Sequence, residues 1–145
     1  MQEAVDLAPT ADSLFRLAIM QKNDNMLDLA LKSLGKVADL PADPQFKLQI
    51  ELVTAGYLIH NGQRDEGIGR FEALRPRLQP IDNFITNLAW FYSVADRKAD
   101  FYDALARSLQ VDRQATLVWI DQEVDINKYR DEERFKQLVQ RARFG

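Results

Sequence analysis

Ala55-Gly-Tyr-Leu-Ile-His-Asn-Gly-Gln-Arg-Asp-Glu-Gly-Ile-Gly-Arg-Phe-Glu-Ala-Leu74 is the stretch that decides the fold. Its centre, Asn61-Gly62, breaks a helix, because glycine accepts the left-handed backbone with which helices end. Asp65 then opens a second helix whose Ile68, Phe71 and Leu74 share one face. The same features return at a fixed distance. Ala55 and Ala89, Gly62 and Asp96, and Phe71 and Leu105 are each 34 residues apart. Each pair marks one feature of a hairpin: a small residue in the first helix, the turn, and a large apolar residue in the second. A fixed period of this size marks a repeat architecture.

Working outward, helical periodicity runs almost from end to end and no strand pattern appears. After Pro9-Thr10, the residues Ala11, Leu14, Phe15, Ala18 and Ile19 form one helical face. Lys22-Asn-Asp-Asn25 is a polar turn in which Asp24 or Asn25 can cap a second helix, carrying Leu27, Ala30, Leu31, Leu34 and Val37. Asp43-Pro44 starts a third helix over about 44–60, a capping carboxylate followed by proline at the first helical position. That helix is apolar on two sides, Phe46, Ile50, Val53 and Tyr57 on one and Leu48, Leu52, Ala55 and Ile59 on the other, so neighbours cover both.

Downstream, the helix opened by Asp65 is expected to stop at Pro76 and Pro80, and Asp82 to cap a fifth over about 83–95. Asp96-Arg-Lys98 leads into a sixth with Phe101, Tyr102, Leu105 and Leu109. A short seventh over about 113–122 centres on Leu117, Trp119 and Ile120, and an eighth over about 131–142 presents Phe135, Leu138 and Val139. Short connections make these antiparallel hairpins. The expected fold is all-α: one domain over 1–145, a short right-handed α-α superhelix of about four hairpins. The hairpins fall at about 11–38, 44–75 and 83–109, with a closing cap at 113–143.

A chain of 145 residues with 46% hydrophobic and 28% charged residues has a globular balance. Nineteen Lys and Arg against 22 Asp and Glu leave a net charge of -3, with no general pull towards nucleic acid or an acidic membrane. The absence of cysteine excludes disulfide scaffolds, thiolate metal sites and thiol catalysis. The single histidine, His60, excludes His-pair metal motifs. No phosphate loop, serine elbow or calcium loop occurs, so no metal and no cofactor is expected. No apolar stretch approaches the roughly 20 residues of a membrane span. Met1-Gln-Glu-Ala-Val-Asp has no signal-peptide pattern. A cytoplasmic protein is expected, or a periplasmic one where a native targeting segment has been lost.

The quoted stretch resembles the tetratricopeptide repeat, a helix–turn–helix unit of 34 residues. A small residue and an aromatic precede a glycine turn, followed by an acidic pair, a small residue and an aromatic. Gly67 stands where the family has alanine, and in the next unit Asp96 replaces the turn glycine and Phe101 the alanine. The first hairpin departs from the spacing, since Leu34 and Leu74 are 40 apart. Thr116-Leu-Val-Trp119, Asp125-Ile-Asn-Lys-Tyr-Arg-Asp131 and Arg134-Phe-Lys-Gln-Leu138 resemble the segment that closes many bacterial tetratricopeptide arrays. In that cap Asp131 would accept hydrogen bonds at the start of the last helix. Phe135 and Leu138 would cover the last hairpin, with Lys136, Gln137, Arg141 and Arg143 in water.

The resemblance implies a scaffold that takes up a peptide or helix of a partner protein in a concave groove. The groove face would carry Gln49, Gly56 and His60 in one unit and Asn83, Asn87 and Trp90 in the next. Trp90 either lines that groove or packs on the neighbouring hairpin, the commoner fate of aromatics at helical spacing. The lysine and asparagine clamp of the chaperone-binding members is replaced by Leu52, Gly56, Thr86 and Trp90. Chaperone tails are therefore not the expected ligand. His60, just before the helix break, reads as a C-terminal polar residue rather than a catalytic base. Adjacent acids such as Asp65 and Glu66 read as caps, since neighbours one apart diverge. The basic-leaning stretches Arg64–Arg77 and Lys128–Arg143 read mostly as solvated faces. The expected protein is a binding module rather than an enzyme, its partner another protein and neither nucleic acid nor a membrane. The rivals are a regulatory or dimerisation module of a larger bacterial signalling protein, giving a homodimer, and an enzyme built on His60.

Overall fold

Helix-forming sequence, punctuated by caps, accounts for the elements of the computed structural model, which describes residues 10–78 and 82–145. Among the described residues there are eight α-helices, two short 3-10 turns and no strand. The fold is all-α, and its helices pack as sequence neighbours. Helices α1 (Ala11–Asn23), α2 (Leu27–Ala38), α3 (Pro44–His60) and α4 (Arg64–Leu78) come first. Next come α5 (Ile85–Val94), α6 (Lys98–Val111), α7 (Arg113–Gln122) and α8 (Glu133–Phe144). The contacts divide the chain into two compact units at Phe71–Glu72, inside α4.

In the first unit Thr10 and Ser13 form a reciprocal capping box at the start of α1. The turn to α2 is built differently from the expectation. Asp24 ends α1, Asn25 takes the left-handed conformation at φ 62°, and Met26 precedes α2 without a side-chain cap. The chain there needs a residue tolerant of positive φ more than it needs a capping oxygen. Asp43 caps α3 as its sequence suggests, accepting from the Gln45 and Phe46 amides. Phe15 of α1 meets Phe46 of α3 edge-on at 5.6 Å between centroids. Asn61 ties the end of α3 to α2 by donating to Asp28. Ala18, Ala30, Val37, Leu52, Ala55 and Phe71 are completely buried.

In the second unit α4 runs through Pro76 to Leu78 instead of stopping. Proline near a helix end removes only one internal hydrogen bond, and Pro76 itself is exposed, while Leu74 and Leu78 are buried and hold the last turns. Pro80 lies outside the described residues, as does the side chain of Asp82. The backbone of Asp82–Phe84 forms a 3-10 turn, and α5 begins behind Phe84 with no side-chain cap. Gly62 (φ 83°) and Asp96 (φ 59°), 34 residues apart, both adopt the left-handed turn, so the aspartate does the glycine's job. Asp112 caps α7 through the Ala115 amide.

The closing segment holds a 3-10 turn over Val124–Tyr129 that periodicity did not reveal. Glu132, not Asp131, is the residue before α8, and it makes no cap bond. Its carboxylate instead accepts from the Tyr102 hydroxyl at 2.7 Å and from Lys98 Nζ at 2.8 Å, both on α6. Arg130 donates to the Ile120 and Glu123 carbonyls, satisfying oxygens at the end of α7 that have no partner within the helix. Phe135 is buried and Leu138 half-buried, while Lys136, Gln137, Arg141 and Arg143 are exposed.

Candidate functional site

Six residues were expected on one accessible face, and their burial divides them. In the first unit Gln49 is half-buried, Gly56 is buried and His60 is exposed. In the second unit Asn83 is exposed, Asn87 half-buried and Trp90 buried. Trp90 retains 9% of its surface, and its indole Nε1 donates to Asp125 Oδ2 at 2.8 Å. The 3-10 turn thus engages the tryptophan, which lines no open groove. The helical arithmetic placed Trp90 on its own face correctly but could not show that residues 35 positions later would return to cover it. The signal was present in Ile126 and Tyr129, two apolar residues three apart that both become buried.

Neighbouring polar groups on α5 are also satisfied from within the chain. The Thr86 hydroxyl lies 2.6 Å from the Ser108 hydroxyl, which lies 2.7 Å from the Thr116 hydroxyl. This chain of hydroxyls links α5, α6 and α7 and ends on the Asp112 carbonyl, to which Thr116 donates. Lys128 donates to the Ser93 carbonyl and to Asp96. Buried polar groups that are paired in this way fix the register of packed helices rather than waiting for a ligand.

The structural residues fall as follows. Ala55, Phe71, Ala89 and Leu105 are fully buried. Trp119 is half-buried and Asp131 exposed. Among the described residues no group of three histidine, aspartate or glutamate side chains could hold a metal ion, and no helix is long and apolar enough to cross a membrane.

Two clefts in the second unit had no counterpart in the sequence reading. One, of about 410 Å³, has Ile85, Leu88 and Tyr92 of α5 on one wall and Asp100, Asp103 and Arg107 of α6 on another. Burial raises the Tyr92 phenol above its ordinary range, opposed by the positive charge of Arg75. The other, of about 370 Å³, is formed by Arg130 and the α8 residues Phe135, Lys136, Val139, Arg143 and Phe144. Beside them, burial and the hydrogen bond to Glu132 push the Tyr102 phenol up. Glu132 is held below the usual carboxylate range by its hydrogen bonds from Lys98 and Tyr102. That pairing keeps Tyr102 a neutral donor and Glu132 an ionised acceptor, a fastening rather than an acid–base pair.

Comparison with known proteins finds no match: no family model, no curated protein and no solved structure aligns with this chain.

Proposed function

We propose that this chain is a tetratricopeptide-repeat-like interaction module that binds a peptide or helix of a partner protein and performs no chemistry of its own. The observation that carries the reading is the turn geometry: Gly62 and Asp96, spaced by one repeat, share a left-handed conformation between paired helices. The repeat pattern read from the sequence thus has a backbone counterpart. His60 is exposed at the end of α3, as a solvated helix-terminal residue would be.

With Trp90 engaged by Asp125, the accessible part of the proposed face in the second unit is Asn83 and Asn87. Such amides hydrogen-bond an extended or helical peptide backbone without demanding a particular side chain. The reading is tested by selecting displayed random peptides against the full chain and measuring affinity for the best of them. Asn83→Ala with Asn87→Ala is expected to weaken that affinity about tenfold, the loss of one or two neutral hydrogen bonds. Unchanged affinity would move the binding face elsewhere. Failure to enrich any peptide over an unrelated helical protein would remove the interaction reading.

A specific observation favours the dimerisation rival as a second reading. Leu17, Met20 and Leu29, on the two helices of the first hairpin, are 41%, 62% and 44% exposed. Uncovered apolar surface on a helical hairpin invites a second helical layer. Sedimentation of the full chain across concentration decides it: a single monomeric species at every concentration excludes the homodimer.

A further inference from the structure

The charge of the closing segment is unevenly placed. Although the chain is net negative, the cleft beside α8 is walled by Arg130, Lys136 and Arg143 around Phe135, Val139 and Phe144. A neighbouring hollow shares Arg143 and Phe144 and adds Arg113 and Leu117. Among the described residues no carboxylate lines either one. Arg143 is paired with Asp121 at 2.7 Å, but Lys136 is exposed at the rim, and the hydrogen bonds of Arg130 go to neutral oxygens of Ile120, Glu123 and Asn127. The apolar residues differ in depth: Phe135 is 5% exposed at the bottom and Phe144 is 82% exposed as a wall.

We propose that this cleft binds an acidic peptide segment carrying an apolar anchor residue. The anchor inserts against Phe135 and Val139 and is covered by Phe144, while its flanking carboxylates meet Lys136 and Arg130. Cationic walls around an apolar floor are complementary to that chemistry and to no basic or neutral polar segment. A peptide is favoured over an anionic bilayer because the site is concave. A bilayer takes up protruding apolar side chains, whereas the buried floor at Phe135 is reached only by a side chain that enters the cleft. The site is separate from the Asn83 and Asn87 face, so it stands or falls independently of that assignment.

The test is fluorescence anisotropy of a labelled peptide alternating glutamates with phenylalanine and leucine, titrated with the full chain. Controls are the same peptide with glutamine for glutamate, the same peptide with serine for the apolar residues, and vesicles of phosphatidylserine and phosphatidylcholine. Expected is binding that weakens with salt, is lost with either control peptide, and falls about three- to tenfold in Lys136→Glu and in Phe144→Ser. Circular dichroism confirms that both variants fold, and Asn87→Ala leaves this peptide's affinity unchanged. Binding that ignores Lys136→Glu and Phe144→Ser overturns the assignment of the cleft. Vesicle binding without peptide binding overturns it in favour of a membrane surface, and binding to neither overturns it outright.

Discussion

A Cβ on Gly67 would come within 2.5 Å of the Ala55 carbonyl oxygen and 2.8 Å of Ile59 Cγ1. Helix α4 therefore approaches α3 so closely that the alanine expected from the repeat pattern does not fit. Gly67→Ala is expected to destabilise the chain by about 1–3 kcal/mol, because the nearest atom is backbone and cannot turn aside. Gly69, two residues on in the same helix, has nothing within 4 Å. Gly69→Ala is expected to stabilise by about 0.5–1 kcal/mol through helix propensity. Urea denaturation of the two variants separates close approach from propensity, and equal shifts of one sign would contradict this packing. Trp90 offers a second test at this scale. Trp90→Phe keeps the ring but strands the Asp125 carboxylate, at an expected cost of about 1–3 kcal/mol. A loss of peptide binding without loss of stability would instead return Trp90 to an open groove.

At the scale of elements, the start of α8 is fastened to α6 by Glu132 through Tyr102 and Lys98. Because the folded carboxyl titrates below its unfolded value, the fastening contributes stability above the unfolded pKa. That contribution is lost as pH falls through the folded pKa, in the acid range below the ordinary glutamate value. The groups facing Glu132 are Lys98 and Tyr102, with Arg134 stacked over the Tyr102 ring at 4.5 Å. Glu132→Gln is therefore expected to be less stable than the native chain at neutral pH and to converge with it in acid. Thermal unfolding followed from pH 7 down to about pH 3 checks this, and a constant difference across that range would show that the charge plays no part. The raised Tyr102 phenol acts at the other end. Its contribution persists below the unfolded tyrosine pKa and is lost as the solution becomes more alkaline.

Across the whole molecule, exposed apolar side chains gather at two places far apart in sequence. Leu17, Ile19, Met20, Met26 and Leu29 belong to the first hairpin, and Val118, Val124 and Phe144 to the closing segment. Folded chains expose single apolar residues routinely, so only a grouping within one element pair calls for explanation. If the first hairpin mediates self-association, Leu17→Ser with Leu29→Ser is expected to shift the sedimentation of the full chain to a monomer without lowering its thermal stability. If the chain is already monomeric, the pair is expected to change neither quantity.

Residue order alone determined the helices and the turns. Caps such as Asp43 and Asp112, the glycine break at Asn61-Gly62 and apolar spacing are local, so eight helical segments could be placed before any contact was known. The repeat distance likewise foretold that Asp96 would behave as Gly62 does. Tertiary structure decided what periodicity does not encode: which faces are covered, and by what. Pro76 stays inside α4 because Leu78 is buried beyond it. Glu132 turns from capping α8 to holding Tyr102 and Lys98. Trp90 leaves the proposed groove because Asp125 comes back to it from 35 residues away. A helix face is set by nearest neighbours along the chain, whereas its burial is set by distant segments that also need to hide apolar surface and satisfy buried polar groups.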